Sequence, residues 1–186
     1  MKRVLSVIAH LLLVAALAIA CGVLINKHSL RIPVEEKNAV NNDSSISMTI
    51  VYDNNAFDSR LTTAWGFACV IKTGARTVLF DTGGDGAILL NNMEKLGLDP
   101  QGIDAVFLSH IHGDHVGGLA GFLKQNLNKT VYLPNSFPAE FKHRVAAAGA
   151  NVVEIDKARQ IAPGVFSTGE MGGPVKEQSL VIKSAK

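Results

Sequence analysis

The feature that most constrains the fold is the segment AVFLSHIHGDHVGGL at residues 105–119, where a short apolar run leads directly into three histidines. The run at 104–109, DAVFLS, is typical of a buried strand. The residues after it therefore leave a sheet at the carboxyl end of a strand, where α/β folds often carry ligand sites. We expect any fold of this chain to place the histidine turn at such an edge.

The spacing of polar side chains in this turn favours metal binding. His110 and His112 are two residues apart, so in a locally extended chain both imidazoles would project to the same side. Asp114 and His115 are adjacent, and Gly113 would let the chain leave strand geometry and redirect them beside the first pair. Imidazole and carboxylate are common ligands of zinc and similar ions. Two such pairs in one loop predict a dinuclear site, against the alternative of a capped turn with ordinary surface histidines.

The remaining pattern predicts a layered α/β fold. Segments rich in β-formers come first, with the turn TGAR at 73–76 indicating a hairpin, and strand–helix alternation follows. This order is typical of a sheet with helices packed against it. The predicted strands are 46–52, 65–73, 77–80, 104–109, 130–134, 151–155, 164–169 and 179–184, and the predicted helices are 86–97, 117–126 and 138–149.

The amino-terminal residues have the layout of an export signal. A basic start precedes an apolar run that ends in the small-residue pattern AIA before Cys21. Cleavage there would release a soluble protein, lipidation of Cys21 would tether it, and an uncleaved run at 4–25 would span a bilayer, for which about 20 residues suffice. We therefore expect an exported protein, membrane-anchored or extracytoplasmic, with a signal peptide or anchor at 1–25, a polar linker at 26–45 and a folded domain at 46–186.

The charge balance argues against a nucleic-acid partner. Without Lys2 and Arg3, which lie in the export segment, 16 of the 18 Lys and Arg residues remain against 16 Asp and Glu. The exported part is therefore near neutral and has no basic stripe to attract a polyanion. One of the two cysteines lies in the export segment, which excludes a disulfide framework, and Cys69 is predicted to be a core residue of a strand. We expect a small-molecule substrate; the oligomeric state stays open.

These motifs together resemble a known family. The pattern His-x-His-x-Asp-His at 110–115 resembles the signature of the metallo-β-lactamase-fold superfamily, and VLFDTGGDG at 78–86 resembles its strand ending in Asp-Thr-Gly. The segment 96–110 is similar to the helix, loop and strand that lead into the metal loop. Segments 49–57, 65–71 and 168–182 resemble one branch of the superfamily. This branch consists of the metal-dependent hydrolases related to dihydropterin-ribofuranosylaminobenzene-phosphate synthase. The implied fold is the amino-terminal part of an αββα sandwich.

The resemblance implies a role for each residue of the motif. His110 and His112 would bind a first divalent ion, and Asp114 and His115 a second, with zinc expected and manganese or iron as alternatives. Asp114 would also orient a water or relay a proton as the catalytic residue. Asp81 would lie beneath the site and orient a ligand, unless it only caps the Thr-Gly turn. The oxygen-reducing members of the superfamily have a glutamate where this chain has His112. The resemblance therefore favours hydrolysis over redox chemistry.

The implied activity is that of a metal-dependent hydrolase in which metal-bound hydroxide attacks an unidentified small molecule. A synthase-like transferase is the alternative within the branch; the tRNA-processing endonucleases, which share the loop, have an amino-terminal strand and glycine turn that this chain lacks. The family's remaining ligands lie beyond a strand like that at 179–184, so domain 46–186 is expected to be incomplete. A truncated, catalytically defective metal-binding half-domain is therefore a further alternative. Glu170 and Lys176 are interpreted as solvated surface groups.

Overall fold

The structure, a computed structural model, describes residues 45–74 and 76–183. The predicted signal or anchor and all of the predicted linker except Ser45 lie outside these residues. Across the two described ranges, no helix combines the length and the apolar character needed to cross a bilayer.

A six-stranded sheet forms the centre of the described domain. Its strands lie in chain order, so each strand pairs with the one that precedes it in the sequence. The first three strands pair antiparallel and include the hairpin that the turn at 73–76 predicted. The third strand also begins a parallel group, which it forms with the fourth, fifth and sixth strands. Parallel neighbours end at the same edge, which brings the segments after them together. The strands are β1 (Ile46–Tyr52), β2 (Ala68–Thr73), β3 (Arg76–Phe80), β4 (Ala105–Phe107), β5 (Thr130–Pro134) and β6 (Asn151–Ile155).

Helices cover one face of this sheet. The first helix begins where the Asp85 side chain accepts hydrogen bonds from the backbone N–H groups of Ala87 and Ile88, and it ends just before Gly97, which has a φ of +66°. Alternate strand residues face the helices and bury a common apolar core. The helices are α1 (Gly86–Lys95), α2 (Gly113–Val116), α3 (Leu119–Gln125) and α4 (Ala139–Ala147), with a single 3₁₀ turn at Pro100–Gly102. The core includes Val70, Leu79, Val106, Val131 and Leu133 from the strands and Leu89, Met93, Phe122 and Leu123 from the helices.

A second, three-stranded antiparallel sheet lies on the opposite side. It consists of β7 (Lys157–Ala162), β8 (Val165–Gly169) and β9 (Leu180–Ile182). The strand residues that point away from the helices, such as Cys69, Ile71 and Phe80, line a cavity together with Leu180 and Ile182 of β9. The order of layers is therefore helices, large sheet and small sheet, and Cys69 is buried in a strand as predicted.

Most predicted elements are confirmed, with three corrections. The predicted helix at 117–126 is observed as α3, and a one-turn helix that was not predicted, α2, precedes it from Gly113, inside the histidine turn. The predicted strand at 65–73 begins only at Ala68, because Gly66 has a φ of +135°, far from strand geometry. Strand β7 was not predicted, since its sequence KARQIA is largely exposed and carries no apolar alternation.

Candidate metal centre

The site is assembled on Asp81, the first residue after β3. This residue is fully buried and has a left-handed φ of +55°, a conformation in which aspartate is one of the few side chains commonly found. Its backbone N–H donates to the carbonyl of Phe107, the last residue of the neighbouring parallel strand β4, at 2.9 Å. The two strand ends are therefore held side by side, and the Asp81 carboxylate is directed toward the segment that follows β4.

The Asp81 carboxylate accepts three hydrogen bonds from the histidine loop. The backbone N–H and the hydroxyl of Ser109 donate to its two oxygens at 2.7 and 2.6 Å, and His115 Nδ1 lies 2.8 Å from Oδ2. A buried carboxylate with this many donors is satisfied without solvent. The hydrogen bond with Asp81 raises the pKa of His115 above its usual value, while burial acts in the opposite direction.

This network also determines which nitrogen of each ring is protonated. Because the Ser109 hydroxyl donates to Asp81, it accepts a hydrogen bond from His110 Nδ1, 2.9 Å away. His115 Nδ1 likewise donates to Asp81. In the neutral form of each ring the proton then lies on Nδ1, and Nε2 is left with a lone pair for an ion. Burial, followed by the charge of His115, lowers the pKa of His110 and favours this neutral form.

The four polar side chains of the loop lie close together. The ring of His110 is 4.7 Å from that of His112 and 4.1 Å from that of His115, measured between centroids. Asp114 Oδ2 lies 3.6 Å from His115 Nε2. His110 and His112 are thus near neighbours, the arrangement predicted for two residues in extended chain, and His112 itself has extended dihedrals of −64° and 144°.

The predicted role of Gly113 is only partly right. The chain does leave extended geometry at this residue, but it enters an ordinary right-handed helix, so glycine's left-handed freedom is not used. A Cβ atom placed on Gly113 would meet nothing within 4 Å. It is the turn into helix α2 that places Asp114 and His115 beside the first pair.

The donor set fits divalent ions in pairs. Two ligands of one tetrahedral zinc ion, each about 2.1 Å from it, lie about 3.4 Å apart, close to the 3.6 Å between Asp114 Oδ2 and His115 Nε2. Within residues 45–74 and 76–183, however, no three His, Cys, Asp or Glu side chains converge closely enough to hold an ion by themselves. The assignment of His110, His112, Asp114 and His115 as ligands stays a prediction, supported by pairs of donors.

Close backbone contacts hold the loop in place. The backbone N–H and hydroxyl of Thr82 both donate to the carbonyl of His115, at 2.8 and 2.9 Å. A Cβ on Gly118 would overlap the carbonyl oxygen of Thr82, and one on Gly66 would overlap that of Asp114. These two glycines allow the segment after β3 and the segment before β2 to approach the loop, which explains their presence at these positions.

Sequence reasoning missed three residues at this site. Ser109 links Asp81 to His110, and its position directly before the first histidine was the available signal. Gln178 is 1% exposed and donates through Nε2 to the carbonyl of Leu108 and through its backbone N–H to that of Ser109, at 2.9 and 3.0 Å. Glu177 acts electrostatically on both His110 and His115, and nothing in the local sequence indicated it.

The two residues interpreted as solvated differ from each other. Lys176 is exposed and donates to the carbonyl of Gly172. Glu170 is half-buried, and its carboxylate accepts a hydrogen bond from the backbone N–H of Ser136 at 2.6 Å. Glu170 therefore fastens its loop to the segment after β5.

Comparisons with known proteins agree with the geometry. The structure resembles the metallo-beta-lactamase fold protein YhfI from Bacillus subtilis, with a TM-score of 0.56 and 18% identity over 75% of this chain and 58% of that one. It also resembles a quorum-quenching N-acyl homoserine lactone hydrolase, with a TM-score of 0.52 and 19% identity over 74% of this chain and 68% of that one. At such identities the likeness shows the fold alone.

Sequence comparison is more specific. The chain is 28% identical over 146 residues to the 7,8-dihydropterin-6-methyl-4-(beta-D-ribofuranosyl)-aminobenzene-5'-phosphate synthase of Methanocaldococcus jannaschii, a match that covers 66% of this chain and 49% of the synthase. The chain thus spans about half the length of this relative. It is also 44% identical over 54 residues to ribonuclease Z of Pyrococcus furiosus, covering 29% of this chain and 17% of that protein. The family model of the metallo-beta-lactamase superfamily matches residues 66–181, and the chain is a member of that superfamily.

Proposed function

We propose that this protein is a metal-dependent hydrolase that acts on a small molecule. The observation that carries the proposal is the hydrogen-bond network of Asp81, which holds the rings of His110 and His115 with Nε2 free for an ion. Members of this superfamily typically bind divalent metal ions. The residues of the loop supply the nitrogen and oxygen donors that such ions prefer.

Each residue has a defined part in this proposal. His110 and His112 would hold one ion, and Asp114 with His115 the other. When bound, the ions would polarise a substrate oxygen and make water acidic enough to react near neutral pH. Asp81 and Ser109 keep the rings oriented, an arrangement that typically strengthens metal binding. The Asp114 carboxylate, with about a quarter of its side chain exposed, would orient a water and accept its proton.

Two classes of reaction are found among the relatives. Ribonuclease Z and the lactone hydrolase are named for hydrolysis, whereas the archaeal relative is named a synthase. The match to the synthase is the longer one, so transfer of a group to an acceptor other than water is the second candidate. The near-neutral charge of the chain beyond the export segment favours a small molecule over RNA. On its amino-terminal pattern, we place the protein outside the cytoplasm.

The test first measures how much metal the protein binds. It then asks whether the oxygen atom gained by the product comes from water. The purified chain is loaded with zinc, manganese or ferrous iron and assayed on a chromogenic phosphodiester, a lactone and a precursor tRNA in ¹⁸O-labelled water. Hydrolysis of a small substrate with label in the product supports the proposal, and a product without label supports transfer. Activity on the tRNA alone, or activity unaffected by removal of the metal, would contradict the proposal.

The variant His110→Ala/His112→Ala tests the ligands, and His143→Ala is its matched control. His143 is exposed on helix α4 and lies outside the histidine loop. We expect the double variant to lose the metal bound by the first pair and the control to retain it. Equal metal content in all three proteins would refute the ligand assignment.

A further inference from the structure

The segment between β8 and β9 reaches the histidine loop through Gln178. This side chain is buried, and its Oε1 accepts from the Ser167 hydroxyl of β8 while its Nε2 donates to the carbonyl of Leu108. The backbone N–H of Gln178 donates to the carbonyl of Ser109, the residue before His110. The backbone at 178 is therefore held beside the start of the histidine loop.

Glu177 precedes this anchor and is constrained from its other side as well. Its backbone pairs with that of Met171 through two hydrogen bonds of 2.8 and 3.0 Å, which close the turn at 172–176. Whereas the Gln178 side chain is buried, the Glu177 side chain is exposed. Glu177 is thus a solvent-exposed residue whose neighbour is fixed to the start of the histidine loop.

The hydrogen bond from the Gln178 N–H to the Ser109 carbonyl places Glu177 next to a residue that contacts the histidine loop directly. Consistent with this position, its negative charge acts to raise the pKa of both His110 and His115, as the weakest of the influences on each ring. None of the ion pairs found within the described ranges includes Glu177.

We propose that Glu177 forms an anionic wall of the metal centre and raises its affinity for divalent cations through space, without coordinating an ion. The inference rests on the proposed function, in that the histidine loop binds such ions. A full negative charge several ångströms from a doubly charged ion stabilises it appreciably even across solvent. The carboxylate comes from the small sheet, so this layer takes part in metal binding although its strands supply no ligand.

The test is a zinc titration of the full chain in competition with a chromophoric chelator. We expect Glu177→Gln to bind zinc about tenfold more weakly, the size that Coulomb attraction predicts. Glu177→Asp keeps the charge and is expected to bind like the unaltered protein. Raising the salt concentration from 0.1 M to about 1 M, which shortens the screening length from about 10 to about 3 Å, should narrow the difference.

Glu170→Gln is the matched control, because it removes the same charge from the same loop. Its amide oxygen can still accept from the Ser136 N–H, and zinc binding should be unchanged. The inference is overturned if Glu177→Gln binds within twofold of the unaltered protein, or if Glu170→Gln weakens binding equally. A Glu177→Asp variant as weak as Glu177→Gln would show direct coordination and overturn the through-space role. If the unaltered protein binds no zinc, the proposed function itself fails, and this inference fails with it.

Discussion

Two regions of the domain are stabilised in different ways: the edge of the large sheet that carries the histidine loop, and the small sheet. At the edge, the buried Asp81 carboxylate bonds to Ser109 and His115, and the backbone is closed by contacts too tight for any side chain at Gly118. In the small sheet, β7 is mostly exposed, and the loop between β8 and β9 contacts the large sheet's loops through Gln178, which bonds to Leu108 and Ser109, and through Glu170, which accepts from the Ser136 N–H. The first region is a dense polar network, whereas the second is joined by few polar contacts, of which that of Gln178 is buried. We accordingly expect the first region to supply the metal ligands. We expect the second region to change the electrostatic potential at the metal site.

Replacing Asp81 tests the dense region most severely. Asp81→Ala leaves the buried N–H and hydroxyl of Ser109 and the His115 ring without an acceptor, and alanine tolerates a φ of +55° poorly. We expect the free energy of unfolding to fall by about 3 kcal/mol in urea denaturation. Asp58→Ala, at an exposed pair with Arg60, is the control and should leave stability unchanged. A loss no larger than that of the control would show that the network does not stabilise the fold.

Two glycines of the loop provide a matched comparison of packing. Gly118→Ala would push a methyl group into the carbonyl of Thr82, and we expect a loss of about 2 kcal/mol or more. Gly113→Ala meets no atom and lies in a helix, so we expect a gain of about 0.5 kcal/mol. Thermal unfolding of both variants measures the difference. Equal stabilities would mean that the close approach at Gly118 relaxes freely.

Removing Gln178 tests whether one anchor holds the small sheet. Gln178→Ala leaves the Leu108 carbonyl and the Ser167 hydroxyl without their partner, at a cost of about 1.5 kcal/mol. We expect hydrogen exchange to accelerate in β8 and β9 while β3 and β4 stay protected. Gln160→Ala, an exposed position in β7, is the control. Uniform acceleration in all strands would show that the two layers unfold as one unit.

Ser109→Ala is expected to be the least destabilising of the substitutions in these networks, and to weaken metal binding clearly. It removes one hydroxyl from the Asp81 network and the acceptor that places the proton on His110 Nδ1. We expect a loss of about 1 kcal/mol in stability and about tenfold in zinc affinity, with recovery in Ser109→Thr. Ser136→Ala, an exposed serine, should change neither quantity. Unchanged zinc affinity in Ser109→Ala would show that the ring of His110 is oriented by other contacts.

Much of the fold was predictable because its signals are local. The apolar runs and the turn at 73–76 identified all strands of the large sheet, and Gly97 and Gly149 marked the ends of α1 and α4. The strand β7 was missed because an exposed strand has no periodic apolar pattern to reveal it. The start of α2 at Gly113 was missed because glycine signals a departure from regular structure, whereas here it begins a helix.

The sequence by itself determined the family, the strand that leads into the histidine loop, and the four side chains proposed as ligands. These follow from residues that are close together in the chain, so spacing alone carries the information. Only the tertiary structure revealed that Asp81 reaches Ser109 across 28 positions, that Gln178 reaches Leu108 across 70, and that Glu177 lies beside the histidine loop because its neighbour Gln178 is bound there. The physical reason is that these buried hydrogen bonds join segments that follow different strands. Which strand ends lie side by side is decided by the packing of the whole domain.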